Sequence, residues 1–162
     1  MNNKTNLRMV IGAAQHKFSH LEEFGKMFEK FGGSYELVLD IDYVQGFPSK
    51  NFNNWLNPNK KFNKLISDFK PDLVFIDRQS QFGLAATKSN IPLFLHLRGD
   101  YWSELTWSKN TINKSVKSRA ILYFKNRIAE KCFKNSEVIL PLSNYLAEIV
   151  KKHYSEKPIE TF

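Results

Sequence analysis

The sequence has a single cysteine among its 162 residues and no apolar run long enough to cross a membrane. Cys132 therefore has no partner within the chain for a disulfide. The basic and then apolar layout of a secretory signal is also missing. These absences disfavour a disulfide-stapled or membrane-spanning domain, and they predict a protein that works in the cytoplasm.

Short motifs of enzyme chemistry are scarce as well. There is no P-loop, no G-x-S-x-G and no H-E-x-x-H, and the four histidines have no metal-ligand spacing with Cys132. Asp40-Ile41-Asp42 imitates the D-x-D pair that chelates divalent cations, and strand alternation would put both carboxylates on one face. Acids at strand ends are commonplace, so we interpret the pair as a solvated strand end. We expect no metal and no organic cofactor.

Acidic residues are few, since 24 Lys and Arg stand against 16 Asp and Glu and leave a net charge of +8. Most of the excess lies in 108–135, where Glu130 is the only acid among eight basic residues: Lys109, Lys114, Lys117, Arg119, Lys125, Arg127, Lys131 and Lys134. A basic helix of this kind can lie on an anionic membrane, although such a face is often only solvated. Nucleic acid is not expected, because no nucleic-acid motif accompanies the charge.

Apolar runs alternate with amphipathic stretches along the chain. The runs predict strands at 7–11, 35–41, 72–77, 91–97 and 137–141, and the stretches predict helices at 19–31, 57–69, 79–89, 108–135 and 143–153. An Asn-rich, aromatic loop follows the second strand, and 158–162 reads as the start of a sixth. The pattern predicts one Rossmann-like α/β domain over 1–162, a doubly wound parallel sheet with helices on both faces.

Three local features refine this prediction. Ser19 and Glu22 form a capping box for the first helix, and Ser143 caps the last one. Apolar residues at every fourth position of 108–135 predict one buried stripe along a single long helix: Ile112, Val116, Ala120, Phe124, Ile128 and Cys132.

Ligands of such a sheet bind at the carboxyl ends of its strands, so the loops there hold the candidate site. After the first strand, Gly12, Gln15 and His16 could present backbone amides and side chains to a phosphate or a sugar hydroxyl. The segment is not G-x-G-x-x-G, which disfavours a dinucleotide.

The fourth strand leads into the segment richest in chemistry. His96 and Asp100 are candidate bases, Arg98 is a candidate cation, and Tyr101 and Trp102 offer aromatic faces for a sugar or an acceptor. The alternative is a satisfied strand histidine followed by a loop whose aromatic rings cover the sheet.

Several segments together resemble one known family. These are Arg127 to Leu146, in which a helix ends, a strand begins and a serine opens the next helix, and the strand starts Lys70-Pro71-Asp72-Leu73-Val74 and Ile91-Pro92-Leu93. They resemble the N-terminal domain of the group 1 glycosyltransferases, retaining enzymes with two Rossmann-like domains across a cleft, the GT-B fold. The family's usual histidine after the fourth strand corresponds here to Arg98, and His96 lies two residues earlier.

The resemblance implies a hexosyltransferase whose N-terminal domain binds a glycan or lipid-linked acceptor. The nucleotide-sugar donor would be held by a C-terminal domain that is absent from these residues, so the chain alone is expected to be inactive. The family's acceptors also imply a peripheral position on the inner membrane face.

A second function class fits the same fold. A noncatalytic α/β binding domain, such as a receiver-like regulatory module, would carry a phosphoacceptor aspartate after its third strand, where Asp77 lies.

Overall fold

The computed structural model describes residues 6–44 and 57–162, and its centre is a five-stranded parallel sheet. The strands are β1 (Arg8–Ala13), β2 (Ser34–Leu39), β3 (Leu73–Ile76), β4 (Leu93–Leu97) and β5 (Val138–Pro141). Their order is β2-β1-β3-β4-β5, and every neighbouring pair is parallel. The predicted Rossmann-like fold class is confirmed.

Helices follow each strand. They are α1 (Phe18–Lys30), α2 (Asp40–Tyr43), α3 (Lys60–Phe69), α4 (Gln81–Ala86), α5 (Tyr101–Thr111), α6 (Val116–Asn135) and α7 (Asn144–His153). The Asn-rich loop predicted after the second strand lies largely at 45–56, outside the described residues.

β1, β3 and β4 are largely buried on both faces, as the nearly continuous apolar run of the fourth strand predicts, whereas in the edge strand β2 only Val38 is buried. On one face, α1 packs with Met9, Ile11 and Phe75. On the other, Val10, Val74 and further strand residues join side chains of α3, α4, α6 and α7. Two apolar layers therefore hold the sheet between them.

The predicted capping box at Ser19 is wrong. Helix α1 begins at Phe18 after Lys17, and no side chain caps it, so Ser19 lies inside the first turn. Ser143 does cap α7, because its hydroxyl accepts a hydrogen bond from the amide of Leu146.

The single helix predicted at 108–135 is two helices, α5 and α6. The side-chain amide of Asn113 donates hydrogen bonds to Ser108 just after the end of α5. The hydroxyl of Ser115 accepts a hydrogen bond from the backbone amide of Ser118 and caps the start of α6. Segment 101–107, predicted as a loop, is the first part of α5.

The predicted buried stripe holds only at its C-terminal end. Cys132 is buried and Ile128 half-buried, but Phe124 is 48% exposed, Ile112 65% and Val116 87%. Helix α6 packs against β4 only in its second half, so the start of the stripe extends past the sheet.

Residues 158–162, predicted to start a sixth strand, run beside β5. Ile159 forms one isolated parallel bridge with Ile139, and the amide of Phe162 donates to the carbonyl of Pro141.

Gly12 lies inside β1 and not in the loop predicted to begin there. A Cβ atom at this position would come within 2.6 Å of the ring of Phe82, which is fully buried against Phe62. We expect Gly12→Ala to lower the free energy of unfolding by about 1–3 kcal/mol, because a packed ring must move. Urea denaturation measures the change.

Gly99→Ala is the matched control for this substitution. Its Cβ would meet only the far end of the Glu104 side chain, which can rotate away, so a smaller loss is expected. Equal losses at the two glycines would contradict the packing argument.

Candidate functional site

The carboxyl edge of the sheet places three strand ends side by side. After β1 the chain adds β2 on one side of the sheet, and from β3 onward it adds strands on the other side. The gap between β1 and β3 is therefore a switch point, where doubly wound folds form their ligand crevice. Gly12 pairs with Ile76, and Ile76 with Leu95. One residue further along, Asp77 is therefore flanked by Ala13 and His96.

Asp77 binds two residues of the neighbouring strand end. Its Oδ1 lies 2.8 Å from Nδ1 of His96 and 2.7 Å from Nε of Arg98. His96 lies in β4 and Arg98 is the first residue after it, and both side chains reach the face that carries Asp77. We call these three residues the Asp77 cluster.

Burial and charge act in opposite directions on this carboxylate. Burial raises the pKa of Asp77, but the hydrogen bond from His96 and the charge of Arg98 together outweigh it, and the pKa lies below its ordinary value. The carboxylate is thus ionised near neutral pH and holds the proton of His96 on Nδ1.

The members of the Asp77 cluster differ in access to solvent. Asp77 is 5% exposed and His96 1%, and the imidazole packs against the rings of Phe75 and Phe162. The Nε2 atom of His96 has no hydrogen-bond partner among the described residues. The side chain of Arg98 is 25% exposed, so Arg98 is the member that a ligand can reach.

The receiver-like alternative does not fit this arrangement. A phosphoacceptor carboxylate must be open to attack on a phosphodonor, whereas Asp77 is buried and one of its oxygens is in contact with both His96 and Arg98.

Asp100 is the N-cap residue of α5. Its carboxylate accepts hydrogen bonds from the amides of Trp102 and Ser103 and from the Ser103 hydroxyl. Burial raises the pKa of Asp100, but these hydrogen bonds outweigh it and the net direction is downward. The structure thus gives Asp100 a capping function, and its role as a base stays a prediction.

The two aromatic residues of the first turn of α5 differ in environment. Trp102 stacks on His153, 4.0 Å away at 7°, and on Phe133, 5.2 Å away at 24°. The indole is therefore half-buried against rings of α6 and α7. Tyr101 donates to Asn126 and lines a cavity, and burial raises the pKa of its hydroxyl to about 12. Tyr101 thus borders open space, and acceptor binding by Trp102 stays a prediction.

The residues predicted after the first strand are divided between core and surface. Gly12 is buried within β1, which leaves no role for it as a loop glycine. Gln15 and His16 are exposed on a short 3₁₀ turn, Gln15–Lys17, at the edge that also carries Asp77.

The two aspartates of the D-x-D sequence are not on a strand. β2 ends at Leu39, and both Asp40 and Asp42 lie in α2, so the predicted shared strand face is wrong. Burial raises the pKa of Asp40, against a hydrogen bond from Ser80. No group of three or more candidate metal ligands occurs in the described part of the chain.

Residues 78–81, directly after Asp77 in the chain, border a cavity of about 470 Å³ that was not predicted from the sequence. It is bounded by the turn 78–81 after β3 and by α5 and α6. The polar run Arg78-Gln79-Ser80-Gln81 after a strand is the only sequence signal for it.

No protein family model and no curated protein matches the chain. Among solved structures, Glycyrrhiza uralensis UGT73P12, complexed with glycyrrhetinic acid 3-O-monoglucuronide, is similar with a TM-score of 0.48 and 11% identity. The similarity covers 96% of this chain but 42% of that one, and likeness of this strength says nothing about ligand or activity.

Within the described ranges, no helix is long and apolar enough to span a bilayer.

The Asp77 cluster predicts a pH-dependent stability. A carboxyl whose pKa is lowered on folding stabilises the protein above its unfolded pKa of about 4, and this contribution is lost as the pH falls through the folded value. We expect Asp77→Asn to cost about 3 kcal/mol at pH 7. The difference from wild type should shrink below pH 4, as measured by urea unfolding at pH 7, 5 and 3.

Asp68→Asn serves as the control, because its ion pair with Lys64 is exposed and worth little at any pH. A loss in Asp77→Asn that stays constant from pH 7 to pH 3 would show that the ionised carboxylate is not what stabilises the site.

Proposed function

We propose that this chain is the N-terminal, acceptor-side domain of a retaining glycosyltransferase. It would help transfer a sugar from a nucleotide-sugar to a glycan or lipid-linked acceptor. The observation that carries the proposal is the Asp77 cluster, which fixes a partly exposed cation, Arg98, at the carboxyl edge of a Rossmann-like sheet.

The family-like sequence pieces support the proposal by their positions. Lys70-Pro71-Asp72 leads into β3, Ile91-Pro92 leads into β4, and Ser143 caps α7. Each piece lies at the element boundary at which the resemblance expects it. The agreement extends from the third strand to the last helix.

The chemistry of transfer suggests a role for each member of the Asp77 cluster. Breaking the bond between a sugar and a nucleoside diphosphate leaves negative charge on the departing phosphate, and fixed cations stabilise it. Arg98 would contact that charge or an anionic acceptor group. Asp77 and His96 are buried and would act as positioning residues, because they hold the guanidinium in place.

A second domain would hold the donor. One wall of a cleft leaves a nucleotide-sugar in water and without most of its phosphate contacts, so large rate enhancements are not available. Residues 1–162 alone should therefore melt cooperatively and yet transfer no sugar from a panel of nucleotide-sugars. Turnover by the isolated chain would place the donor site within these residues and refute the two-domain proposal.

Arg98 can be tested once a donor-binding domain restores activity. Arg98→Gln should lower kcat/KM by about 10²-fold, since a preorganised charge at the departing group is removed, and Arg98→Lys should recover part of it. Lys88→Gln, which removes an exposed surface cation away from α6 and from the Asp77 cluster, is the control. An NMR assignment of the product anomer tests retention separately.

We also propose that α6 binds the anionic lipid surface of the inner membrane face. Val116, Arg119, Tyr123 and Arg127 share one face of the helix at spacings of three and four residues. Val116 and Tyr123 are 87% and 59% exposed, so apolar and cationic side chains alternate on a surface open to solvent. That combination suits the boundary between headgroups and acyl chains.

Co-sedimentation with vesicles tests the membrane contact. Each cation near such a surface contributes about 1 kcal/mol, so Arg119→Gln with Arg127→Gln should weaken binding to phosphatidylserine vesicles about 30-fold. Tyr123→Ser should weaken it at high salt too, where charge is screened. Lys30→Gln with Lys88→Gln is the matched control, and binding indifferent to lipid charge would contradict the proposal.

A further inference from the structure

The cavity between the turn 78–81, α5 and α6 has the composition of a small-molecule site. Its volume of about 470 Å³ lies within the range of ligand pockets. Leu105, Leu122, Ile128 and Ala129 supply an apolar lining, and the half-buried ring of Tyr101 adds an aromatic surface. Packing of this kind suits the C–H face of a ring.

Polar groups converge on the same space. The Oε1 atom of Gln79 is buried and has no hydrogen-bond partner among the described residues. A buried carbonyl without a partner costs free energy, and a turn of the Gln79 side chain toward the cavity would let a donor on a ligand remove that cost. Ser108 adds a hydroxyl to the lining.

The charges around the cavity favour an anion. Arg78 and Glu104 form an ion pair of 2.8 Å across it, and both side chains are more than half exposed. Such pairs contribute little stability, so Arg78 can exchange its partner readily. Lys125 lies on the α6 side and has no ion-pair partner in the part of the chain that the structure describes.

We propose that this cavity binds an anionic sugar, a hydroxylated ring that carries a carboxylate or a phosphate. The ring packs on Tyr101 and the apolar lining, a hydroxyl donates to Gln79, and the anionic group lies between Lys125 and Arg78. The proposal concerns binding alone and does not rest on sugar transfer by this chain.

The experiment is a titration of the ¹⁵N-labelled chain followed by NMR, with glucuronate, glucose 6-phosphate, glucose and inorganic phosphate as probes. We expect the two anionic sugars to shift the amides of 78–81 and 101–108. Glucose should bind about fivefold or more weakly than they do, because it lacks the charge contact.

Two variants test the charge contact and the hydroxyl contact of the proposal separately. Lys125→Gln should weaken both anionic sugars about fivefold and leave glucose unchanged, whereas Gln79→Leu should weaken all three sugars. Lys117→Gln removes the same charge from α6 away from the cavity and should change nothing.

Three results would overturn the proposal. These are no shifts at 78–81 with any sugar at millimolar concentration, equal binding of glucose and the anionic sugars, and phosphate binding as tight as glucose 6-phosphate. Lys125 is exposed, so its variant remains informative even if Gln79→Leu fails to fold.

Discussion

One carboxylate oxygen organises the carboxyl edge of this sheet. Oδ1 of Asp77 is bound by the imidazole of His96 and the guanidinium of Arg98, which joins the ends of β3 and β4 by side chains where the backbone ladder stops. Because Asp77 and His96 are almost fully buried, the ionised state of Asp77 depends on both partners being in place. The position of Arg98 follows from that requirement.

The helices cover the two faces of the sheet differently near this edge. On the face that carries His96, α1 and the ring of Phe162 shield the Asp77 cluster. On the other face the helices bury the core near the strands, but α5 and the start of α6 extend past it. The cavity lined by α5 and α6 therefore belongs to the second face, whereas the partly exposed Arg98 belongs to the first.

Much of the fold could be predicted because the relevant signals are local. Apolar runs marked all five strands, and Ser143 marked the start of α7. The division of 108–135 could not be predicted from periodicity, since it depends on side-chain hydrogen bonds of Asn113 and Ser115. Likewise, His96 and Arg98 were recognisable as chemical candidates, but their common partner lies 19 residues from His96 along the chain. Only the strand register brings them together.

The stacking of Trp102 has a mechanical consequence. The first turn of α5 is anchored by that indole against rings of α6 and α7, while Trp107, further along α5, is 59% exposed. The last turn of α5 is joined to α6 by residues 112–115, and the side chain of Asn113 is bonded to Ser108. Leu105 and Ser108 line the space between the two helices, so the packing of one indole ring sets the position of one wall of that space.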